Sequence, residues 1–256
     1  MNPSFSILIN TSEILALSSL FRIPSWIGVD FLKAYSPKET EELVRQGIYS
    51  LNERGFLSKD QNNIYCIHAG FNKVMKSVIE PVQVFSIFCE SQKAASWVFL
   101  HPHMHVIENR TEEGLEFVAI KDLDGIHEYL CSMWGLNRSE PDLLTPHEFN
   151  LNLPQVQDAL AENPDSLEAL FLKENIPQTA WSMLMQLLDG SIHADSITQH
   201  NPFFPEIVVD SFRWIASENC ALQIIVEGDG KFPYKLRFES STFAKLKSEI
   251  SNLLKQ

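Results

Sequence analysis

Three histidines at alternate positions are the residues in this chain best suited to chemistry. His101, His103 and His105 would share one face of a β-strand, and neutral imidazole is a common ligand of zinc, copper and nickel. Pro102 lies among them, so the strand is at a sheet edge or begins after the proline. Metal sites need three or four converging ligands, and no carboxylate or cysteine stands at a recognisable spacing nearby. We predict solvent-facing residues of an antiparallel sheet and no metal site, with a metal protein or enzyme centred on these histidines as an alternative.

Signatures of common enzyme classes are absent from the sequence. It contains no GxSxG, HExxH, P-loop lysine or GxGxxG motif. The carboxylate pairs Glu112-Glu113 and Asp122/Asp124 fall in predicted turns and helix caps, whereas catalytic carboxylates need burial to shift their pKa. We therefore expect a protein without enzymatic activity and without a cofactor.

The net charge limits the possible binding partners, and the cysteines indicate the cellular compartment. A formal net charge of −13 disfavours binding to nucleic acid, which requires a cationic surface, and to anionic membranes. The N-terminus lacks the basic region of a signal peptide, and no apolar run approaches the ~20 residues that span a bilayer. Cys66, Cys89, Cys131 and Cys220 are widely spaced without a CxxC pair, so we interpret them as reduced core thiols of a cytoplasmic protein.

Residues 98–134 and 212–254 share one order of elements: strand, turn, strand, turn, helix. In the later stretch, residues 232–239 alternate between apolar and polar, as a strand with one buried face does, and Leu222, Ile224 and Val226 predict its partner strand. The Asp-Gly sequence at residues 229–230 predicts a tight hairpin between them.

The earlier stretch predicts strands at residues 103–108 and 115–120, joined by a polar tip. The tip is longer than a tight turn needs, so its residues are candidates for partner contact. They are Asn109, Arg110, Thr111, Glu112 and Glu113.

The helices that close the two stretches carry apolar residues at identical spacing. Asp122 is the predicted cap of the first helix, and Ser240 or Ser241 of the second. The apolar stripes are Leu123, Ile126, Leu130, Met133 and Trp134 in the first helix, and Phe243, Leu246, Ile250, Leu253 and Leu254 in the second. We interpret this as a repeat of architecture rather than of sequence, because amphipathic helices share this period.

Predicted helices precede each stretch, so the order helices, meander, helix occurs twice. This predicts an α+β fold with a first half at residues 1–135 and a second half at residues 153–256, separated by an irregular segment. We expect the two halves to form one structural unit with a shared sheet. In the second half, helices are predicted at residues 153–162, 166–174 and 177–188, followed by a loop at residues 190–205.

Ser36, Pro37 and Glu39 form a strong helix start, because the serine caps, the proline fits the first position and the glutamate completes a capping box. The helix ends at Gly55, and residues 56–68 predict a small hairpin. A helix followed by a hairpin is also typical of winged-helix domains. Glutamates dominate this helix face, which disfavours DNA, and a winged-helix-like regulator remains an alternative.

Apolar segments offer further contact candidates. The helix at residues 177–188 is apolar around most of its circumference, which suits either a core helix or a partner surface. Its candidate contact residues are Trp181, Met183 and Met185, since methionine suits adaptable binding surfaces. Phe203 and Phe204 are loop aromatics that are either core plugs or contact points.

Three features carry a family resemblance: Ser12-Glu13-Ile14-Leu15 with the following loop at Pro24, the Leu-Asn-Glu-Arg-Gly-Phe-Leu sequence at residues 51–57, and the two-halved order of elements. They resemble the opening helix, the helix exit and the overall plan of the EspG-like chaperones of type VII (ESX) secretion, including their firmicute counterparts. The resemblance covers nearly the whole chain in architecture and about the first sixty residues in motifs.

The resemblance implies a twisted antiparallel β-sheet flanked by two helical bundles, with a pseudo-two-fold repeat. It also implies a cytoplasmic, non-catalytic protein that binds a specific secreted substrate, small and helical or of toxin type, and keeps it soluble for export. Such chaperones hold their substrates with a sheet hairpin loop and the C-terminal helical bundle. The implied partner is therefore a protein, with no nucleic acid and no membrane insertion.

Overall fold

The computed structural model of the chain describes residues 5–21, 35–138, 148–162, 164–217, 221–227 and 235–256. Predictions for residues 22–34, 139–147 and 228–234 and for Cys220 lie outside these ranges. The described helices are α1 (Thr11–Phe21), α2 (Pro37–Glu53), α3 (Ala69–Ile79), α4 (Leu123–Met133), α5 (Leu153–Glu162), α6 (Pro164–Lys173), α7 (Gln178–Leu188) and α8 (Phe243–Lys255), with a 3₁₀ turn at Glu90–Gln92. None of these helices has the length and apolar character to span a bilayer.

The strands form one large antiparallel sheet and one small hairpin. They are β1 (Phe5–Asn10), β2 (Leu57–Lys59), β3 (Tyr65–Ile67), β4 (Gln83–Cys89), β5 (Ala94–Leu100), β6 (His105–Arg110), β7 (Gly114–Ile120), β8 (Glu148–Asn152), β9 (Asp195–His200), β10 (Val208–Ala216), β11 (Ala221–Glu227) and β12 (Lys235–Ser240). The ten-stranded sheet has the order β1-β7-β6-β5-β4-β9-β10-β11-β12-β8, and β2 pairs with β3. The mixed α+β class with an antiparallel sheet is thereby confirmed.

The repeated order of elements includes a leading strand that the sequence patterns did not reveal. β1 pairs antiparallel with β7, and β8 pairs antiparallel with β12. Each leading strand runs directly into a helix. The prediction that residues 135–152 are irregular throughout is therefore wrong for β8, because pairing with β12 satisfies its backbone and stacks the ring of Phe149 on that of Phe238 at 5.1 Å.

Two further expectations are corrected in the second half. The segment at residues 190–205 is not all loop, because it contains β9. The cap of α8 is neither Ser240 nor Ser241 but Thr242, whose hydroxyl accepts a bond of 3.0 Å from the backbone N–H of Lys245. The apolar stripe predicted for α8 is confirmed as buried.

The chain divides into two compact units. Unit 1 comprises Met1–Ile87, Ala95–Ile126 and Gln199–Val209; unit 2 comprises Phe88–Ala94, His127–Thr198 and Asp210–Gln256. The prediction of two halves that form one structural unit stays a prediction. Cys89 and Cys131 are buried thiols as expected, whereas Cys66 is exposed on β3, so its interpretation as a core thiol is wrong.

In unit 1, α2 begins and ends where the sequence predicts, and α1 begins at Thr11. The Asn10 side chain accepts from the backbone N–H of Glu13 at 3.0 Å and caps α1. The capping box of α2 is complete, with the Ser36 N–H donating to the Glu39 carboxylate at 2.8 Å. Gly55, at φ +74°, follows the end of α2.

Glu13 is fully buried and joins three elements of unit 1. Its carboxylate receives Nη1 of Arg54 at 2.7 and 2.8 Å, the Ser50 hydroxyl at 2.7 Å and the backbone N–H of Asn10 at 3.0 Å. Nη2 of the same arginine donates to the carbonyl of Leu8 in β1 at 2.9 Å. The carboxylate thus has several donors, which compensate for its removal from water.

A close approach between α1 and α2 makes this network possible. A Cβ on Gly47 would lie 2.0 Å from the backbone oxygen of Ser12 and 2.4 Å from its carbonyl carbon. No rotamer change can relieve a clash with backbone atoms, so this crossing requires glycine.

Gly47→Ala is expected to lower the free energy of unfolding by about 3 kcal/mol, because the helices must separate to admit the methyl group. Urea denaturation measures this change. Gly70→Ala is the matched control: its Cβ would meet only ordinary contacts with His68, at 3.5 Å or more, and the effect should stay within about 1 kcal/mol. Equal effects of the two substitutions would contradict the close-approach argument.

Arg54→Met is expected to cost about 3 kcal/mol of unfolding free energy, since it leaves the Glu13 carboxylate buried without its cation. Arg45→Met removes the arginine of an exposed i,i+4 pair with Glu41 and should change stability by less than about 1 kcal/mol. Thermal and urea denaturation of both variants test the difference. Similar losses of unfolding free energy in the two variants would show that the burial of Glu13 does not set the cost of losing its arginine.

Candidate functional site

The three histidines lie at a turn of unit 1 and not along one strand. β5 ends at Leu100 and β6 begins at His105, so the expectation that alternate spacing places all three rings on one strand face is wrong. Nδ1 of His101 accepts from the backbone N–H of His103 at 3.3 Å, and Nδ1 of His105 accepts from that of His101 at 3.4 Å. Burial lowers the pKa of His101 and of His105, which favours these neutral acceptor forms. Among the described residues, no group of three or more His, Cys, Asp or Glu could hold a metal ion.

The predicted polar tip between β6 and β7 is shorter than expected. Asn109 and Arg110 belong to β6, and the connection is a tight turn of residues 111–113 in which the N–H of Thr111 donates to the carbonyl of Gly114 at 2.9 Å. Asn109 is held on the sheet, because its side chain accepts from Ser96 and donates to Glu116. Thr111, Glu112 and Glu113 are exposed, and their role in partner contact stays a prediction.

The apolar helix α7 is mostly a core helix of unit 2. Met183 is buried, and Trp181 and Met185 are half-buried against the same core. The indole N–H of Trp181 donates to the carbonyl of Ile176 at 2.9 Å, and its ring lies 5.9 Å from that of Phe171. Burial leaves Met183 little surface for a partner, and the contact role of these three residues stays a prediction.

A cavity of about 540 Å³ lies within unit 2 beside α7. Its wall includes Met183 and Gln186 of α7, together with Glu90, Asp195 and Arg138. The carboxylate of Asp195 accepts from the backbone N–H of Glu90 at 2.8 Å, and burial raises the pKa of Asp195 to about 6. The side chain thus accepts a bond from a backbone group, and the nearby charges of Glu90 and Arg138 shift its pKa in opposite directions.

Among the described carboxyl groups of unit 1, Glu108 has the most strongly shifted pKa. It is only 3% exposed in the middle of β6, opposite Trp97 on β5 and Phe117 on β7. Burial raises its pKa to about 8, and its Oε2 atom has no hydrogen-bond partner among the described residues. The raised pKa keeps the group mostly neutral near pH 7. Glu108 therefore destabilises the sheet and does not form a charged site.

Among the described residues of unit 1, the turn between β9 and β10 displays the largest concentration of exposed apolar side chains. Phe203 is 84% and Phe204 56% exposed, so their interpretation as core plugs is wrong, and their role as contact points stays a prediction. Ile207, Val208 and Val209 continue the exposed apolar surface along the chain. We call these five residues the apolar tip.

Polar groups hold the apolar tip in one conformation. The Asn201 side chain accepts from the backbone N–H groups of Phe203 and Phe204 at 2.9 and 3.1 Å. Within the turn, Asn201 N–H donates to the carbonyl of Ile207 at 2.9 Å and Ile207 N–H to that of Phe204 at 2.8 Å. His200 anchors its base through contacts with the Ser86 hydroxyl at 2.7 Å and the Pro205 carbonyl at 2.6 Å. The rings are therefore presented on a preorganised turn, which lowers the entropic cost of binding.

No family model and no curated protein matches this chain. A match among solved structures is the type VII secretion system chaperone EspG5 of Mycobacterium tuberculosis, solved in complex with the PE25-PPE41 dimer. The sequences are 13% identical, and the match has a TM-score of 0.60 and covers 95% of this chain and 94% of that chain. The resemblance to EspG-like chaperones is thereby confirmed at the level of the fold.

The stability of the protein is expected to fall as the pH rises through the titration of Glu108. The pKa of Glu108 is about 8 in the folded chain against an ordinary value of 4.5, so the folded state binds this proton more tightly than the unfolded state does. The free energy of unfolding should be highest below about pH 4.5 for this group and decline until about pH 8.

Glu108→Met should remove this decline and stabilise the protein at pH 8 by roughly 1–3 kcal/mol, since an apolar side chain replaces a buried carboxyl without full hydrogen bonding. Urea denaturation across the pH range measures the effect. Glu42→Met, at an exposed position of α2, should leave the pH profile unchanged. A Glu108→Met profile parallel to that of the wild type would contradict the assignment.

Proposed function

We propose that this protein is a chaperone of a type VII secretion system, which binds a specific secreted protein in the cytoplasm and keeps it soluble for export. The observation that carries the proposal is the apolar tip, displayed on a fold that is shared with a secretion chaperone. The implied substrate is a small helical or toxin-type protein. The proposed role requires no enzymatic activity and no cofactor.

The apolar tip suits this role for a physical reason. Burying a large apolar side chain contributes about 1.5–3 kcal/mol, so covering Phe203 and Phe204 alone would supply several kcal/mol of binding free energy. Aromatic residues on a fixed turn are typical energetic centres of protein interfaces. The same contact would cover apolar surface on the substrate and thereby oppose its aggregation.

The other predicted contact residues enter the proposal with different weight. Thr111, Glu112 and Glu113 are exposed at a tight turn and can meet a partner without rearrangement. Trp181 and Met185 expose part of their surface on α7, whereas contact through Met183 would use only its small accessible fraction. The apolar tip is therefore the first surface to test.

Co-expression with the small secreted helical proteins encoded nearby tests the proposal directly. The wild-type chain should co-purify with one of them and keep it in the supernatant. The double variant Phe203→Ser, Phe204→Ser should lose the substrate while its unfolding free energy changes by less than about 0.5 kcal/mol per site, because both rings are exposed.

Ile64→Ser is the matched control. Ile64 is 61% exposed at the β2–β3 hairpin of the same unit and lies outside the apolar tip, so its substitution should leave co-purification intact. Failure of the wild-type chain to co-purify with any secreted neighbour would count against the proposed function.

A further inference from the structure

The chain that leads into β4 runs to the same end of unit 1 as the apolar tip. β4 and β9 are neighbours in the antiparallel sheet, and Ser86 of β4 contacts His200 of β9 at 2.7 Å. The chain before Ser86 and the chain after His200 therefore run to the same end of the sheet. Ile79 and Val82 stand in the first of these segments and are 40% and 60% exposed.

Negative charge borders this surface. Glu80 lies between Ile79 and Val82 in the chain, Glu206 lies within the turn of the apolar tip, and both side chains are exposed. The segments of residues 77–87 and 199–209 contain no lysine and no arginine. Lys76 is the nearest cation in the sequence; it is exposed in the last turn of α3, four residues before Glu80. We call Ile79, Val82 and the apolar tip, with these two glutamates, the acid-bordered surface.

From this arrangement we infer that the acid-bordered surface binds a partner whose apolar face is flanked by lysine or arginine side chains. The inference rests on the proposed function, in that it takes the surface as the substrate-binding one. Apolar contact supplies the affinity, and the glutamates select partners by charge, because like charges brought together at an interface are strongly unfavourable.

A second copy of this chain is the occupant that the charges disfavour. It would bring the same two glutamates to the contact and add a net charge of −13 to an equal charge. Repulsion of this kind keeps acidic proteins apart at moderate ionic strength. The sequence therefore combines exposed apolar residues, which invite association, with a border that restricts association to cationic partners.

Two amphipathic helical peptides with the same leucine face test the inference on the full-length chain. One peptide borders the face with lysine and the other with glutamate, and fluorescence anisotropy measures the binding of each. The lysine peptide should bind at least about tenfold more tightly, and its affinity should fall as salt is added. Phe203→Ser with Phe204→Ser should weaken its binding by at least about 30-fold, whereas Ile64→Ser should not.

Charge reversal separates the border from the overall charge of the protein. Glu80→Lys with Glu206→Lys should abolish or reverse the preference for the lysine peptide. Glu42→Lys with Glu168→Lys makes the same change in net charge at exposed positions of α2 and α6 and should preserve the preference.

Three results would overturn the inference: equal binding of the two peptides, a preference that survives reversal of Glu80 and Glu206, or self-association that the Phe203→Ser, Phe204→Ser variant removes. The proposed function fails separately. If the chain shows the charge preference but retains no secreted protein, the acid-bordered surface is supported and the proposed export role is rejected. If the chain still retains a secreted protein after both glutamates are reversed, the proposed function is supported and the role of the charged border is rejected.

Discussion

The buried carboxylate of Glu13 is the constraint on which unit 1 is built. A carboxylate without water requires donors from several directions, and here they come from β1, α2 and the residue that ends α2. The helix crossing can meet that demand only because Gly47 lets α2 approach the backbone of α1. The two stretches that carry the family resemblance, residues 12–15 and 51–57, thus meet at one ion pair between Glu13 and Arg54. The family resemblance in these two stretches is explained by the fold and does not identify a binding partner.

The proposal of partner binding rests instead on residues that the fold does not use. Most large apolar side chains of unit 1 are buried in one core, yet Phe203 and Phe204 are exposed on a turn fixed by Asn201 and His200. Polar groups that fix an apolar turn cost conformational freedom without adding core contacts. Such a feature is understandable when the exposed rings complete their contacts with another molecule.

The repeated order of elements does not extend to the connections between strands. The connection from β4 to β5 is a short polar 3₁₀ turn at Glu90–Gln92, whereas the corresponding connection from β9 to β10 carries the apolar tip. The repeat therefore supplies two similar frameworks, and among the described connections of the second meander the one from β9 to β10 carries the apolar tip. Loops tolerate such divergence because their backbone lies at the surface, where water can satisfy it.

Local patterns in the sequence determined the helices, their caps at Ser36 and Asp122, and the buried stripe of α8, because these features depend on neighbours within about one turn of helix. They also predicted the α+β class and identified the loop aromatics Phe203 and Phe204 as candidate contact residues. Only the tertiary structure decided that β8 and β9 are strands, since pairing partners distant in sequence make them so. It likewise decided that Met183 is buried and Phe203 exposed, because the surface left by a fold depends on which elements cover one another. The turn at His101, where Pro102 interrupts alternation, shows the same limit: spacing defines a common face only after the strand itself exists.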